Sequence, residues 1–425
     1  MAKRPAIDAE LQYQNISVPS SNPISLEELS SPEFSLNDEL VFAHDSWYTL
    51  LRHKWADFSA NVYKFYINHP LLNYSLRRII YGLATLLIAI IVVFLLVRYV
   101  TDDNQYLPSN ISNLHLTEEQ TRALLINRMK AFGVYGPLGG QLANYLKNIF
   151  PLIPKTVVID QEWASSANGA VLISETTKKV YVFLGLVSSE AIASPGTPVM
   201  DIFNRAIPYS FGFGSVAVVI SYLVALPLGI HAAKKKDKIS DQTINGISVF
   251  LTAVPAVVIV LGLYLLAIAG LGTSGLFTSG SFWTKFWPVV TLIVMIMPTN
   301  IIMTRRYVID EMTNDYTRFA YSQGLSTNRV FYIQIFRNAG IRIIRQFPVD
   351  IAATLFGSSM LVEQQWSIPG MSRYIVSAIG GQKDSFVILG FVSFAAFIQI
   401  FASLISDLMI VWMDPRTSLG QRTNS

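Results

Sequence analysis

Six long apolar stretches alternate with polar segments along the chain, and each is long enough to cross the hydrocarbon core of a bilayer as a helix. They lie at residues 79–99, 211–230, 249–269, 288–303, 344–362 and 386–413. The fifth stretch is the weakest, because it contains Gln346, Pro348 and Asp350. The pattern predicts an all-α polytopic membrane protein with about six transmembrane helices.

A polar segment at residues 310–345, called the central loop below, separates the fourth and fifth stretches. It is longer than a membrane connection requires, and Gly324 divides it into two halves with helical periodicity. In the first half, Tyr316, Phe319 and Ala320 recur at helical spacing. Because Ala320 and Gly324 would make one face of that helix small, another protein could approach it closely. The pattern predicts a helix–turn–helix that a partner protein binds.

The segment between the first two stretches, residues 101–205, is predicted to be a small α+β region on the outer side of the membrane. Thr117 precedes a helical pattern with glutamates in its first turn, which predicts an N-cap and a helix over 116–130. A second short helix is predicted over 141–150. Strand-like runs follow at 156–159, 170–173 and 180–183, and the last two are predicted to pair as a hairpin turning at 176–179.

The chain before the first transmembrane segment, which is placed at 76–100, is predicted to have two parts. Residues 1–45 are rich in Ser, Pro, Asn and Glu, which is typical of a disordered arm. Residues 46–75 have a basic, aromatic, amphipathic pattern. Such a helix would lie on the inner membrane surface or pack against the transmembrane bundle.

Charge fixes the predicted orientation. The chain is 52% apolar and only 14% charged, with a mean hydropathy of +0.41. Thirteen lysines and arginines lie in the loop 231–245, around the central loop and in the C-terminal tail, against three in the alternate loops 270–285 and 363–385. By the positive-inside rule both termini and the central loop are cytoplasmic. Orientation in the membrane suffices to explain the net charge of +4, so nucleic acid is not expected as a partner.

The sequence shows no catalytic chemistry of its own. There is no cysteine, the five histidines are scattered, and no phosphate-binding loop of the form GxxxxGK[ST] is present. We therefore expect neither catalytic residues nor a bound metal or cofactor, and a non-enzymatic protein.

Ionisable residues in or beside the apolar stretches are candidates for a translocation pathway. Asp350 and Glu363 are the candidates here. Asp350 could instead pair with a neighbouring arginine such as Arg345 for structural reasons. Asp407, near the end of the last stretch, is interpreted as a snorkelling or capping residue.

Residues 315–339, DYTRFAYSQGLSTNRVFYIQIFRNA, resemble the cytoplasmic coupling motif of binding-protein-dependent ABC importer permeases, in the version found in oligopeptide and dipeptide permeases. The matching positions are Tyr316, Arg318, Ala320, Gly324 and Leu325, followed by Arg337, Asn338 and Ala339. Further similar segments are 76–78, 116–150, 225–229, 253–256, 361–379 and 414–416. Arg318, Phe319 and Ala320 stand where the wider family has Glu-Ala-Ala.

The resemblance implies the fold of an ABC importer permease, with its core at 206–420, and a long outer segment that favours the first, B-type, of two peptide permease subunits. Residues 1–75 and an insertion at 152–194 depart from the family pattern. The implied coupling residues are Asp315, Tyr316, Arg318, Ala320, Gly324 and Leu325.

The implied function is import of oligopeptides or dipeptides across the bacterial cell (inner) membrane. The implied partners are a second homologous permease, two ABC ATPase subunits that use ATP and Mg, an extracytoplasmic peptide-binding protein and membrane lipid. A permease of the same family for nickel or another solute is one alternative. A proton-coupled secondary carrier with Asp350 and Asp407 as its relay is a second, and a membrane receptor or scaffold is a third.

Overall fold

A computed structural model of the chain describes residues 70–108, 111, 116–149, 154–166, 169–380 and 384–413. The predicted arm at 1–45 lies outside the described residues. So does most of the predicted interfacial helix at 46–75, and its last residues, from Pro70 onward, are already the start of the first long helix.

Helices make up most of the described chain. The first half holds α1 Pro70–Val100, α2 Glu118–Ala131, α3 Leu138–Ile149, α4 Val199–Lys234, α5 Ile239–Ala253 and α6 Ala256–Leu265, which continues as a π-helical turn, Leu266–Gly270. The second half holds α7 Phe282–Met312, α8 Asp315–Ser322, α9 Thr327–Arg329, the π-helical segment Val330–Ile335, α10 Phe336–Ile344, α11 Phe347–Ala353, the π-helical segment Thr354–Ser358, α12 Met360–Gln365, α13 Met371–Gly380 and α14 Ser385–Met413.

Four of the described helices, α1, α4, α7 and α14, are each long and apolar enough to cross a membrane. A fifth candidate is the pair α5 and α6, which is bent by 100° where Pro255 begins α6. A proline removes one helical N–H and its ring clashes with the preceding turn, so a sharp bend at this position has a local cause. The prediction of an all-α polytopic membrane protein is confirmed.

The fifth predicted stretch, 344–362, is helical but interrupted. Pro348 lies in the first turn of α11, where its missing N–H costs no helical hydrogen bond, and α10 ends four residues earlier. A π-helical segment then separates α11 from α12. These interruptions are why no single helix here is long enough to count as a span.

The start of α1, the end of α4 and the end of α14 lie at the same end of the bundle. Arg78 near the start of α1 forms an ion pair with Asp407 near the end of α14, with 3.1 Å between Nε and Oδ2. At the end of α4, Lys234 donates a hydrogen bond to Asn328 of the central loop. The end of α14 also lines a cleft with Arg337 and Arg345 of the central loop, so the start of α1 and the end of α14 both lie at the central-loop end of the bundle.

The contact between α4 and α7 brings two backbones close together. A Cβ atom on Gly229 of α4 would lie 2.6 Å from Cβ of Thr304 and 3.0 Å from the carbonyl oxygen of Ile301. Only a glycine fits at this distance, which is the way small residues let membrane helices pack closely. The two helices are therefore in close backbone contact at this point.

The segment between α1 and α4 packs at the opposite end. Thr117 caps α2 in a capping box with Gln120, so the predicted N-cap is confirmed. Strands β1 (Lys155–Ser166) and β2 (Gly169–Val180) pair antiparallel, from Lys155 opposite Val180 to Ser166 opposite Gly169. The predicted hairpin was wrong: residues 176–179 continue β2 and pair with β1, because threonine favours an extended strand and this run contains no glycine, proline or asparagine to form a turn.

Asp384, immediately before α14, fastens this outer segment to the bundle. Its Oδ2 accepts hydrogen bonds from the backbone N–H groups of Ser188 and Ser189, at 2.7 and 2.8 Å. Its Oδ1 accepts from the N–H groups of Phe386 and Val387, both at 3.1 Å. One buried carboxylate thus caps a helix and holds a distant loop against it.

Candidate coupling site

Helix α8 ends at a glycine-dependent cap. Gly324 has a φ of +75°, in the left-handed region that glycine adopts without steric cost. Its N–H donates to the carbonyl of Tyr321 at 2.9 Å, and the N–H of Leu325 donates to the carbonyl of Ala320 at 3.4 Å. This pair of hydrogen bonds is a Schellman motif, and the apolar contact that accompanies it joins Leu325 to the core under α8. The predicted break between two helical halves at Gly324 is confirmed.

The two faces of α8 differ sharply in exposure. Asp315, Arg318, Phe319 and Ser322 follow the spacing i, i+3, i+4 and i+7 and are all exposed. We call these four residues the outward face of α8. It combines a charged pair, Arg318 and Asp315 at 3.8 Å, with a Phe319 side chain that is 63% exposed.

The predicted small face is not formed as the sequence suggested. Ala320 is buried within its own chain, in a cluster that includes Val308 of α7 and Val330 and Ala339 of the helix that follows. Gly324 is exposed, with no heavy atom near the position of a Cβ. The alanine is small because α8 packs directly on the π-helical segment Val330–Ile335, and the glycine is needed for the cap.

Glu311, in the last turn of α7, holds α8 in place. Its carboxylate is buried, and Oε2 accepts hydrogen bonds from Asn314 Nδ2 and from the Tyr316 hydroxyl, both at 2.7 Å. Its Oε1 accepts from Arg342 Nη2 of α10 at 2.8 Å, and its backbone carbonyl accepts from Thr317 Oγ1 at 3.0 Å. We call Glu311 and these four partners the Glu311 cluster. It joins the end of α7, the start of α8 and α10 through one side chain.

The protonation state of Tyr316 and an aromatic contact of Arg342 also favour the Glu311 cluster. Burial raises the pKa of Tyr316 above its ordinary value, and the hydrogen bond to Glu311 adds to this effect, so the phenol is a protonated donor at neutral pH. The guanidinium of Arg342 lies over the ring of Tyr307, 5.8 Å from the ring centroid. Arg342 is therefore held between a carboxylate and an aromatic face.

A second ionic contact links α5 to α7 at the same end of the bundle. Arg305 donates from Nε and Nη2 to the two carboxylate oxygens of Asp241, at 2.6 and 2.7 Å. Asp241 is 2% exposed and also accepts from the N–H of Asp237 at 3.0 Å. This paired, planar geometry is the strongest form of an ion pair between side chains.

The candidate pathway residues lie away from α8. Asp350 accepts hydrogen bonds from the Tyr222 hydroxyl of α4 at 2.9 Å and from Gln346 Nε2 at 3.1 Å, so the alternative pairing with Arg345 is not formed. Glu363 is buried, and its carboxylate accepts from Ser359 Oγ at 2.8 Å and from the N–H of Ser372 at 2.9 Å. Within this chain Glu363 braces the turn between α12 and α13.

Sequence reasoning missed Glu311 and the exposure of Phe319. One signal for Glu311 was available, because a carboxylate in the last turn of a helix opposes the helix dipole and needs a compensating partner. Three of the partners lie at the start of α8, and only the tertiary structure brings the fourth, Arg342 of α10, to the same carboxylate. Asp407, interpreted as a snorkelling or capping residue, is the partner of Arg78 instead.

Residues 225–419 match the model of the family described as binding-protein-dependent transport system inner membrane component. The match begins within α4 and includes the whole of the central loop and α14.

Individual relatives agree with the family model. The chain is 28% identical over 243 residues to the peptidoglycan transport system permease protein YejB of Agrobacterium fabrum, covering 53% of this chain and 66% of that protein. It is 29% identical over 211 residues to the oligopeptide transport system permease protein AmiC of Streptococcus pneumoniae, covering 49% and 42%. It is 29% identical over 236 residues to the dipeptide transport system permease protein DppB of Bacillus subtilis, covering 55% and 75%.

The first two of these matches therefore span less than two thirds of the relatives' own lengths. The family consists of membrane permease subunits that are not themselves catalytic. The chain has helices of membrane-spanning length and a central loop with the capped helix α8. Its residues 225–419 match the family model. Over residues 225–419, somewhat less than half of its length, the chain is similar to the family of binding-protein-dependent transport system inner membrane components.

Proposed function

We propose that this chain is the transmembrane permease subunit of an ATP-driven importer of oligopeptides or dipeptides in the bacterial cell membrane. The peptide class is supported by the names of its relatives, which include oligopeptide and dipeptide transport permeases. The proposed partners are a second homologous permease, two cytoplasmic ATPase subunits and an extracytoplasmic peptide-binding protein.

The observation that carries the coupling role is the combination of a rigidly held α8 with an exposed outward face. Phe319, Arg318 and Asp315 project from a helix whose other side is fixed by the Glu311 cluster and by Ala320. An exposed aromatic residue beside charged ones is a composition that protein interfaces favour at their energetic centres. We therefore assign the outward face to the ATPase contact.

The geometry supplies a route from that contact into the membrane. Displacement of α8 acts on Glu311 at the end of α7, and α7 packs on α4 through the close approach at Gly229. Arg342 carries the same displacement to α10, which leads into α11 and Asp350. Two helical paths thus move together when the ATPase subunits close, which is what alternating access requires.

Orientation follows from the same proposal. The described chain starts and ends at the central-loop end of the bundle, which also carries the lysines of the loop after α4. The excess of basic residues there supports a cytoplasmic location of this end and of both termini.

Replacement of Phe319 tests the contact. In the full complex, Phe319→Ala should reduce co-purification of the ATPase subunits and ATP-driven peptide uptake into proteoliposomes by about tenfold or more, the usual effect of truncating an aromatic hot-spot residue. Phe282→Ala is the matched control, since Phe282 is 69% exposed at the start of α7, at the opposite end of the bundle. Equal effects of the two variants would refute the assignment of the outward face.

A proton-coupled carrier predicts a different result. Its relay residues would be Asp350, which accepts from Tyr222 and Gln346, and Asp407, which pairs with Arg78. The proposed importer, supplied with ATP and its partner subunits, should take up peptide in the absence of a proton gradient. Uptake by this chain alone, driven by a proton gradient and abolished by Asp350→Asn, would support the carrier.

A further inference from the structure

A basic cleft lies beside the Glu311 cluster, between α10 and the end of α14. Its volume is about 1020 Å³, at the upper limit of the size range of ligand pockets. Its charged lining comprises Arg337, Arg342, Arg345 and Glu311, a net formal charge of +2. The cleft is separate from the outward face of α8, none of whose four residues line it.

Two of the three arginines are available to bind an anionic ligand. Arg342 is engaged by Glu311 and by the ring of Tyr307. Among the residues that the structure describes, neither Arg337 nor Arg345 has an ion-pair partner, and both are exposed. A guanidinium presents parallel N–H donors that match the oxygens of a phosphate group. An anion carrying phosphate oxygens therefore complements this part of the lining.

The opposite wall of the cleft is apolar and belongs to a membrane helix. Ile410, Trp412 and Met413 at the end of α14 line it, and Trp412 is 85% exposed. Tryptophan at the end of a membrane-spanning helix is typical of the level of the lipid head groups. The cleft thus presents cations on one wall and an interfacial aromatic residue on the other, at the depth where a phospholipid has its phosphate above its acyl chains.

We propose that this cleft binds the phosphate head group of an anionic phospholipid, with Arg337 and Arg345 as its ligands and Trp412 against the lipid's glycerol region. The occupant connects the helix that leaves the central loop to the last membrane helix. Anionic lipid thereby holds α10 against α14, next to the site through which α8 acts.

Quenching of Trp412 by brominated lipid tests the site in the full-length chain reconstituted into vesicles. The contribution of Trp412 is the difference between the native chain and Trp412→Phe. Brominated phosphatidylglycerol should quench this contribution at a lower mole fraction than brominated phosphatidylcholine. Arg337→Gln and Arg345→Gln should each reduce that preference about fivefold, the attraction of one basic residue to an anionic lipid surface.

Two control variants separate the role of the cleft from a general effect of charge. Arg306→Gln removes an arginine of α7 that is also exposed but lies outside the cleft, and it should leave the preference unchanged. Arg337→Lys with Arg345→Lys keeps both charges and should retain most of the preference. Equal quenching by the two lipids in the native chain, or loss of the preference with Arg306→Gln as well, would overturn the proposal.

Other occupants give their own results. If native Trp412 shows no lipid preference, while inorganic phosphate changes its fluorescence in the native chain and not in the Arg337→Gln, Arg345→Gln variant, the cleft takes a free phosphate and the lipid assignment is overturned. If the Arg337→Gln, Arg345→Gln variant loses the ATPase subunits while native Trp412 shows no lipid preference, the cleft is a protein interface, which also overturns it. Failure of this proposal leaves the Phe319 test of the coupling site unaffected.

Discussion

Replacement of Glu311 by glutamine should loosen α8 without unfolding the bundle. A glutamine has nearly the same shape, so the perturbation is the loss of the charge and of one acceptor oxygen. If the amide oxygen faces Tyr316 and Asn314, two charge-assisted hydrogen bonds become neutral ones, which costs about 1 kcal/mol in total or somewhat more. The amide N–H₂ group then faces Arg342, and the lost ion pair costs up to about 1 kcal/mol, because the arginine is half exposed and screened by water.

The two losses together lower the free energy of local opening of α8, its detachment from α7 and α10, by about 2 kcal/mol. The fraction of molecules in which α8 is open therefore rises roughly 30-fold. Hydrogen exchange of the α8 amides, measured by mass spectrometry on the full-length chain, reports this local opening. We expect exchange of the peptide covering α8 to accelerate by about that factor, while peptides from the middle of α7 and α4 exchange as before.

Asp310→Asn is the matched control, since Asp310 is the exposed neighbour of Glu311 and its replacement removes the same charge. It should leave α8 exchange unchanged. Tyr316→Phe combined with Glu311→Gln should cost less than the sum of the two single variants, because both act on one hydrogen bond. Strict additivity, or equal acceleration by Asp310→Asn, would refute the role of Glu311 as the residue that positions α8.

Three further outcomes are expected. Gly324→Ala should destabilise the end of α8 by about 1–2 kcal/mol in the same exchange measurement, whereas Gly324→Asn, which tolerates a positive φ, should cost less. Asp241→Asn should lower the thermal unfolding midpoint by removing a buried partner of Arg305, at a cost of about 3 kcal/mol, and the exposed Asp237→Asn should not. Asp384→Ala should make residues 185–197 sensitive to limited proteolysis, because it removes the acceptor for two backbone N–H groups in that segment; unchanged digestion would show that other contacts hold it.

Features that depend on neighbouring residues were predictable from the sequence. The Thr117 cap and the break at Gly324 depend on a few adjacent positions, and both are present in the structure. The hairpin prediction also depended on adjacent residues and was wrong, because residues 176–179 extend β2 and pair with β1 instead of turning.

The sequence by itself determined the membrane class and the existence of α8, because apolar length and helical periodicity are properties of continuous segments. It did not determine which side of α8 faces outward. That depends on the packing of Ala320 against residues from α7 and α10, and on the reach of Glu311 to Tyr316 and Arg342. Hydrogen bonds and burial between distant segments arise only when the chain folds, so the tertiary structure alone decided that Phe319 is exposed and that a basic cleft opens beside α14.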